Sequence, residues 1–315
     1  MKKILIIRFS SFGDIVLTFP FINSVKKSFP DTEIHFLTKL VYSDLTALHT
    51  GIDSTITFSN DSLTDLRKTI KENKYDFIFD IHNNLRSRFV TFFTNTKVLR
   101  YRKNNFKKLF YIVFGKNLFK SIIPVYEKYI LAGKIVFKDL STDYSTSDLK
   151  TGEGKTFDSK YFVLAPSSKH FTKTLPSDKF YGIIKNYPYK KFIITGSDNE
   201  TDRKICSEIE SAFANVTNLC GKTDYKELAR IVKYSEGVIC NDSGLLHLAE
   251  SLGKKVIVFF GSTVKEFGFF PQLKSTEVYE INNLKCRPCT HIGKSYCPKG
   301  HFKCMNEINI NEIRL

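Results

Sequence analysis

Lys3-Ile4-Leu5-Ile6-Ile7-Arg8-Phe9-Ser10-Ser11-Phe12-Gly13-Asp14 decides how this chain begins to fold. Lys3 to Phe9 is a short apolar run, the pattern of a strand buried on both faces of a parallel sheet. Ser10, Ser11, Gly13 and Asp14 make a turn. Beyond it Ile15 to Lys27 places Val16, Phe19, Ile22 and Val25 at helical spacing. Pro30 and Asp31 end that helix, and Glu33 to Thr38 reads as a second strand. The opening is a βαβ unit.

The alternation continues outward. Tyr75 to Asp80 is strand-like and leads into a basic segment. From Asp139 to Ser159 the chain turns polar, rich in Ser, Thr, Asp, Lys and Gly, and reads as a linker. Tyr161 to Ala165 starts a second alternating block, with later strands at Lys191 to Thr195, Gly237 to Cys240 and Lys255 to Phe260. Helices at Tyr225 to Tyr234 and Leu245 to Leu252 fill the gaps. A length of 315 residues suits two domains. The expected fold is α/β: two Rossmann-like, doubly wound domains, residues 1–155 and 156–315, facing a central cleft. Such sheets bind ligands at the carboxyl ends of their strands.

Hydrophobic residues at 42% and aromatics at 14% exclude a disordered or collagen-like chain. The net charge of +16 points to a polyanionic partner: nucleic acid, an anionic membrane surface or a phosphorylated substrate. Its distribution narrows the choice. Ile81 to Tyr126 contains no acid and carries +10; Asn282 to Asn306 contains none and carries +5. The remainder nets only +1. No RNP, KH or helix-turn-helix signature supports a nucleic-acid binder, and no nucleic acid is expected as partner. The apolar start is cut short by Arg8 and Asp14, which suits neither a signal peptide nor a spanning helix. A cytoplasmic chain with its seven cysteines mostly reduced is the expectation.

The turn Ser10-Ser11-Phe12-Gly13-Asp14 offers backbone N–H groups to an anion or polar substrate. Asp14 alone reads more readily as a helix N-terminal acid stabilised by the dipole than as a functional group. The turn lacks the spacing of a dinucleotide fingerprint or a P-loop. A second signal, Asn241-Asp242-Ser243-Gly244-Leu245-Leu246-His247, follows a strand and opens a helix, a geometry that holds phosphate on orphan N–H donors. Asp242 by itself could be a helix cap and His247 a core histidine. Two further strand ends carry small polar residues: Pro166-Ser167-Ser168 with Lys173 beyond, and Gly261-Ser262-Thr263. Hydroxyls and a lysine suit a diphosphate.

Cys286, Cys289, Cys297 and Cys304, with His291 and His301 between them, raise the question of a structural zinc. The spacing C-x2-C-x7-C-x6-C lacks the second close pair of a zinc ribbon. Reduced thiols in a tight C-terminal cap are the other reading.

Taken in order, these motifs resemble glycosyltransferase family 9, the ADP-heptose:lipopolysaccharide heptosyltransferases. The likeness is carried by Ile6 to Asp14, Asn241 to Ala249, Phe260 to Thr263 and Cys286 to Met305. It implies a GT-B architecture and an inverting glycosyl transfer that needs no metal or other cofactor. It also implies an acceptor-binding N-terminal domain and a nucleotide-sugar-binding C-terminal one. Asp14 matches the family's catalytic aspartate, a general base for the acceptor hydroxyl, and Ser10, Ser11 and Gly13 shape its turn. Lys173 matches the lysine at the nucleotide diphosphate. Ser167 and Ser168 match neighbouring hydroxyl contacts, and Asp242, Ser243, Gly244 and His247 match the nucleotide-sugar motif. Glu200 is similar to an acid near the ribose. The family usually has tryptophan before the proline that follows the lysine; here Leu175 stands there, and the chain has no Trp.

The resemblance implies transfer of heptose from ADP-heptose to a lipopolysaccharide inner core of lipid A and acidic Kdo. Its implied partners are a nucleotide-sugar donor and an anionic glycolipid at the inner face of the inner membrane, met by a monomeric, peripheral enzyme. The basic segment 86–120, with Phe106, Leu109, Phe110 and Phe114 interleaved, reads as a surface for such an acceptor or as a merely solvated helix face. Another nucleotide-sugar donor, a GT-B epimerase and a nucleic-acid binder are the alternatives.

Overall fold

Ile4, Leu5, Ile6 and Ile7 are wholly buried, as a strand covered on both faces must be. In the computed structural model, which describes residues 2–58, 63–154 and 157–315, they form β1 (Lys3–Ile7) at the centre of a five-stranded parallel sheet. β1 pairs with β2 (Glu33–Lys39) and β4 (Phe77–Asp80), Ile6 lying opposite Phe36 and Phe79. β3 (Ser54–Phe58) and β5 (Lys97–Leu99) complete the order β3-β2-β1-β4-β5.

The helix expected from Ile15 to Lys27 is two helices, α1 (Phe12–Val16) and α2 (Phe19–Ser28). Pro20 explains the break. In the first turn of α2 its missing N–H costs nothing, whereas within one continuous helix it would delete a hydrogen bond and clash with the preceding turn. α2 buries Phe19, Phe21, Ile22 and Val25. The remaining helices before the second sheet are α3 (Ser43–Ala47), α4 (Leu63–Glu72), α5 (Leu85–Val90), α6 (Asn105–Phe114) and α7 (Val125–Gly133), of which α6 packs with the second unit. Gly133 is needed where α7 meets α2: a Cβ there would stand 2.4 Å from the Phe21 ring.

The second sheet is also wholly parallel. β6 (Tyr161–Ala165), β7 (Lys191–Ile194), β8 (Val216–Asn218), β9 (Gly237–Asn241), β10 (Val256–Phe260) and β11 (Glu277–Glu280) run in the order β11-β10-β9-β6-β7-β8. Its helices are α8 (Ser177–Asn186), α9 (Glu200–Ala212), α10 (Tyr225–Tyr234), α11 (Gly244–Ser251) and α12 (Lys303–Asn306). Asn199 and Asp224 cap α9 and α10 by accepting from the Asp202 and Glu227 N–H groups. The core of this half includes Met305, Ile308 and Ile313, so the C-terminal tail is part of it.

The chain therefore forms two compact units, Met1–Lys103 with Ile123–Lys150 and Asn104–Ile122 with Thr151–Leu315. The expected cut between residues 155 and 156 lies outside the described residues. A single cut does not describe the division: residues 104–122 pack with the second unit, because Tyr111 and Phe119 set their rings against Phe267. The basic segment is divided accordingly. In the first unit Arg100 pairs with fully buried Asp80 at 2.8 Å, Arg88 donates to the Asn83 side chain, and Lys103 donates to the Asn83 carbonyl. Those three cations brace strand ends.

Candidate active site

In each sheet the chain reverses its direction of winding at one point, between β1 and β4 in the first and between β6 and β9 in the second. Strand ends diverge there and leave room for a ligand.

At the first switch point β1 runs into Arg8 and the turn at Ser10 and Ser11. Ser11 caps α1, and Asp14 is the third residue of that helix, its carboxylate turned back to the cap. The Ser11 hydroxyl donates to Asp14 Oδ2 at 2.9 Å and the Ser11 N–H at 3.3 Å. Arg8 Nη2 lies 2.7 Å from the same oxygen, and Arg8 Nη1 donates to the Ile81 carbonyl at 2.9 Å. The Asp14 side chain keeps 18% exposure. Burial opposes its ionisation, but the Arg8 charge and the Ser11 hydrogen bonds outweigh burial and hold the carboxyl below its ordinary value. His82 packs its ring 4.9 Å from Phe9. Burial, then the charges of Arg8 and Lys103, push its imidazole down to about 4, so it is neutral at physiological pH. The site holds an ionised carboxylate among cations.

At the second switch point Asn241, wholly buried, ties three segments together. Its Oδ1 accepts from the Leu175 N–H at 2.9 Å and its Nδ2 donates to the Pro166 carbonyl at 2.9 Å. The next residue, Asp242, is 4% exposed and collects two partners on one oxygen: Lys173 Nζ at 2.7 Å and the Thr263 hydroxyl at 2.7 Å. Lys173 keeps 15% of its side chain exposed. Ser243 is the cap residue of α11, and Gly244 its first residue, so the unpaired N–H groups of the first turn sit beside the Lys173–Asp242 pair. Ser167 is buried and Ser168 half-buried at the end of β6.

The cysteine tail holds this arrangement in place. The Thr172 N–H donates to the Lys294 carbonyl and the Lys294 N–H to the Thr172 hydroxyl, at 3.1 and 2.9 Å. A Cβ on Gly261 would meet the Thr172 carbonyl at 2.7 Å and Met305 at 2.8 Å. Arg287 donates to the Thr263 and Ile281 carbonyls at 2.9 and 3.0 Å and is ion-paired with Glu280. Cys286, Cys289, Cys297 and Cys304 are free thiols that line one pocket with His301. Burial first, then the neighbouring thiols, pushes Cys304 up to about 11. Among the described residues no three His, Cys, Asp or Glu side chains are grouped as ligands to one ion.

Of the residues singled out from the sequence, Ser11, Gly13 and Asp14 meet in one cluster, with half-buried Ser10 in the same turn. Lys173, Asp242, Ser243 and Gly244 gather in another, at strand ends shared with Ser167 and Ser168. His247 is buried within α11, its ring 6.3 Å from Phe269. Glu200 stands exposed in the first turn of α9, beyond the end of β7. Three working members were missed. Arg8 and Asn241 lie inside the quoted motifs, and Thr263 inside a quoted turn; each acts through a partner distant in sequence.

Two Rossmann-like parallel-sheet units, each with a polar cluster at its switch point, make up the GT-B architecture. The family model for glycosyltransferase family 9 (heptosyltransferase) matches residues 63–299, and the chain belongs to that family. It is 24% identical to lipooligosaccharide heptosyltransferase 2 of Campylobacter jejuni, over 96% of this chain and 92% of that one. It is likewise 24% identical to a lipopolysaccharide heptosyltransferase 3 of Escherichia coli, over 80% and 81%. The fold matches that of the Escherichia coli ADP-heptose lps heptosyltransferase II with a TM-score of 0.74 at 20% identity, covering 98% of both chains.

Proposed function

We propose that this chain is a lipopolysaccharide heptosyltransferase that moves heptose from ADP-heptose to an anionic glycolipid of the inner core. The observation that carries the reading is Asp14: a partly exposed carboxylate kept ionised at the first switch point by Arg8 and Ser11. In the proposed reaction an acceptor hydroxyl oxygen forms a bond to the anomeric carbon while the bond from that carbon to the diphosphate breaks. Asp14 takes the hydroxyl proton. The electron pair leaves on ADP, and attack opposite the leaving group inverts the anomeric centre.

In this reading the leaving group is met by Lys173, the α11 N–H groups and the hydroxyls of Ser167 and Ser168, so that protein donors rather than a metal ion stabilise the growing charge. Glu200 is assigned to the ribose and His247 to shaping the α11 start. A diphosphate has charge enough to draw Lys173 from Asp242, which keeps the Thr263 hydroxyl. The excess of cations around Asp14 suits an acceptor with acidic sugars. A cytoplasmic enzyme, peripheral at the inner face of the membrane, completes the proposal; no helix of the described residues is long and apolar enough to cross a membrane.

A nucleotide panel read by thermal unfolding tests the donor. ADP or ADP-heptose at a hundredfold excess over Kd stabilises the chain by about 2.7 kcal/mol, while UDP, GDP and CMP ligands at the same concentration do less. Equal responses to all four would remove the adenine assignment. The base is tested by pH. In Arg8→Met, burial of Asp14 is no longer opposed by the guanidinium, so its pKa rises by about 1–3 units. The ionised form does the work, so the acid limb of the kcat profile moves up by that amount. Stability follows the same sign. The wild-type ion pair contributes fully above the unfolded carboxyl's ordinary 3.8 and is lost as pH falls through the lower folded value. An unmoved acid limb in Arg8→Met would assign the proton to another group.

A further inference from the structure

Helix α6 is turned inside out. At about 100° per residue, Lys108, Tyr111 and Ile112 share one face, and Phe106, Leu109, Phe110 and Val113 share the opposite one. The first face is packed: the Tyr111 ring stands 6.4 Å from Phe267, and Lys108 Nζ stands 5.7 and 5.4 Å from the Phe267 and Phe269 rings. The second face looks outward. Phe106 is 73% exposed, Leu109 59%, Val113 60% and Phe114 64%. Phe106, Phe110 and Phe114 form a ladder with centroid distances of 6.1 and 4.7 Å. No residue of α6 is buried, and beyond Gly115 the exposed Leu118 and Ile122 prolong the apolar surface. A helix on a water-facing surface places its apolar stripe inward; a contiguous apolar patch on the outside marks an interaction site.

Charge identifies the occupant. Lys107 flanks the face, with its Nζ 5.9 Å from the Phe119 ring, and exposed Lys116 and Lys120 follow the helix. No acid occurs between Ile81 and Tyr126. Glu266 reaches the segment through Asn117 at 3.1 Å, but the lysines outnumber it, and a second copy of this chain presenting the same lysine-bordered patch would be repelled. An anionic bilayer meets both demands, since acyl chains receive the Phe and Leu side chains while headgroups receive the lysines.

We propose that α6 and residues 115–122 lie in the headgroup layer of an anionic membrane with Phe106, Leu109, Val113 and Phe114 inserted. The second unit thus carries its own membrane anchor. The inference deepens the reading of a membrane-borne acceptor and rests on it for its purpose, yet the contact itself is measured without any sugar chemistry.

The test is co-sedimentation of the full chain with vesicles of phosphatidylcholine alone and of phosphatidylcholine with an equal part of phosphatidylglycerol. The wild type binds the anionic vesicles at least about tenfold more tightly, and added salt weakens that preference. The triple variant Phe106→Ser, Leu109→Ser, Val113→Ser loses at least about tenfold in anionic-vesicle binding and keeps its unfolding temperature. Lys116→Glu with Lys120→Glu loses it by charge alone. Wild-type indifference to phosphatidylglycerol, or undiminished binding of the triple variant, overturns the proposal. So does self-association that the triple variant abolishes in the absence of vesicle binding. Failure of the nucleotide panel with vesicle binding intact removes ADP-heptose as the donor and leaves the anchor standing.

Discussion

Asp14→Asn lowers kcat for sugar transfer by about 10²–10⁴-fold, the share of a positioned general base, while leaving the affinity for the nucleotide-sugar close to wild type. The substitution is isosteric. An amide oxygen still accepts from Ser11, so the cap of α1 persists, and the half-exposed turn keeps its shape. What disappears is the negative charge that Arg8 and Ser11 hold in place. Arg8 then stays buried without its carboxylate partner, held by the Ile81 carbonyl and the Tyr101 hydroxyl, so a loss of about 1–3 kcal/mol in stability accompanies the loss of rate. Asp14→Glu separates the two effects. It keeps the charge and therefore most of the stability, but moves the oxygen by one methylene, and misplacing a base by about 1 Å costs on the order of 10²-fold. Calorimetry with ADP and single-turnover transfer, run on the same preparations, make the comparison. Transfer at the wild-type rate in Asp14→Asn would end its assignment as the base.

Much of this architecture is legible in the sequence because parallel strands buried on both faces leave apolar runs that no other element needs. Ile4 to Ile7, Tyr161 to Ala165 and Val256 to Phe260 read correctly for that reason. β5 and β8 escape because three residues cannot show a period, and β3 and β11 because edge strands keep only part of their surface buried. The chemistry-bearing motifs are legible as candidates, but their electrostatics are not. Nothing in the sequence says that Arg8 reaches Asp14 around the turn, or that Lys173 and Thr263 converge on one oxygen of Asp242. Those pairings arise only when strand ends are brought side by side. The basic segment teaches the same lesson in reverse. Its charge and its aromatics are plain from composition, whereas the division of labour is not: Arg88, Arg100 and Lys103 brace the first unit, and Lys108 packs beneath α6 in the second. Periodicity shows that α6 is amphipathic; only packing shows that its apolar face looks outward.

Lys173→Met is expected to lower kcat/KM by about 10²–10³-fold and to unsettle the second unit as well. Both effects follow from the pair with Asp242, and a second substitution separates them. Asp242 is almost fully buried, and without Lys173 its charge is left to the Thr263 hydroxyl. Removing one member of such a buried pair costs about 3–5 kcal/mol, and the partly open lysine side puts this case at the lower end. Asp242→Asn alone leaves Lys173 free to turn to solvent, so it destabilises less. In Lys173→Met combined with Asp242→Asn no unpaired charge remains, and most of the lost stability returns, with a coupling energy of about 1–3 kcal/mol in the double-mutant cycle. Activity does not return, because the cation needed at the diphosphate is still missing. Lys173→Arg gives partial recovery at best, since a planar fork does not replace a compact ammonium at the same oxygen. A purely structural lysine predicts the opposite pattern: the double variant would regain turnover in step with stability, and Lys173 would then be a strut for the Asp242 turn rather than a contact to the leaving group.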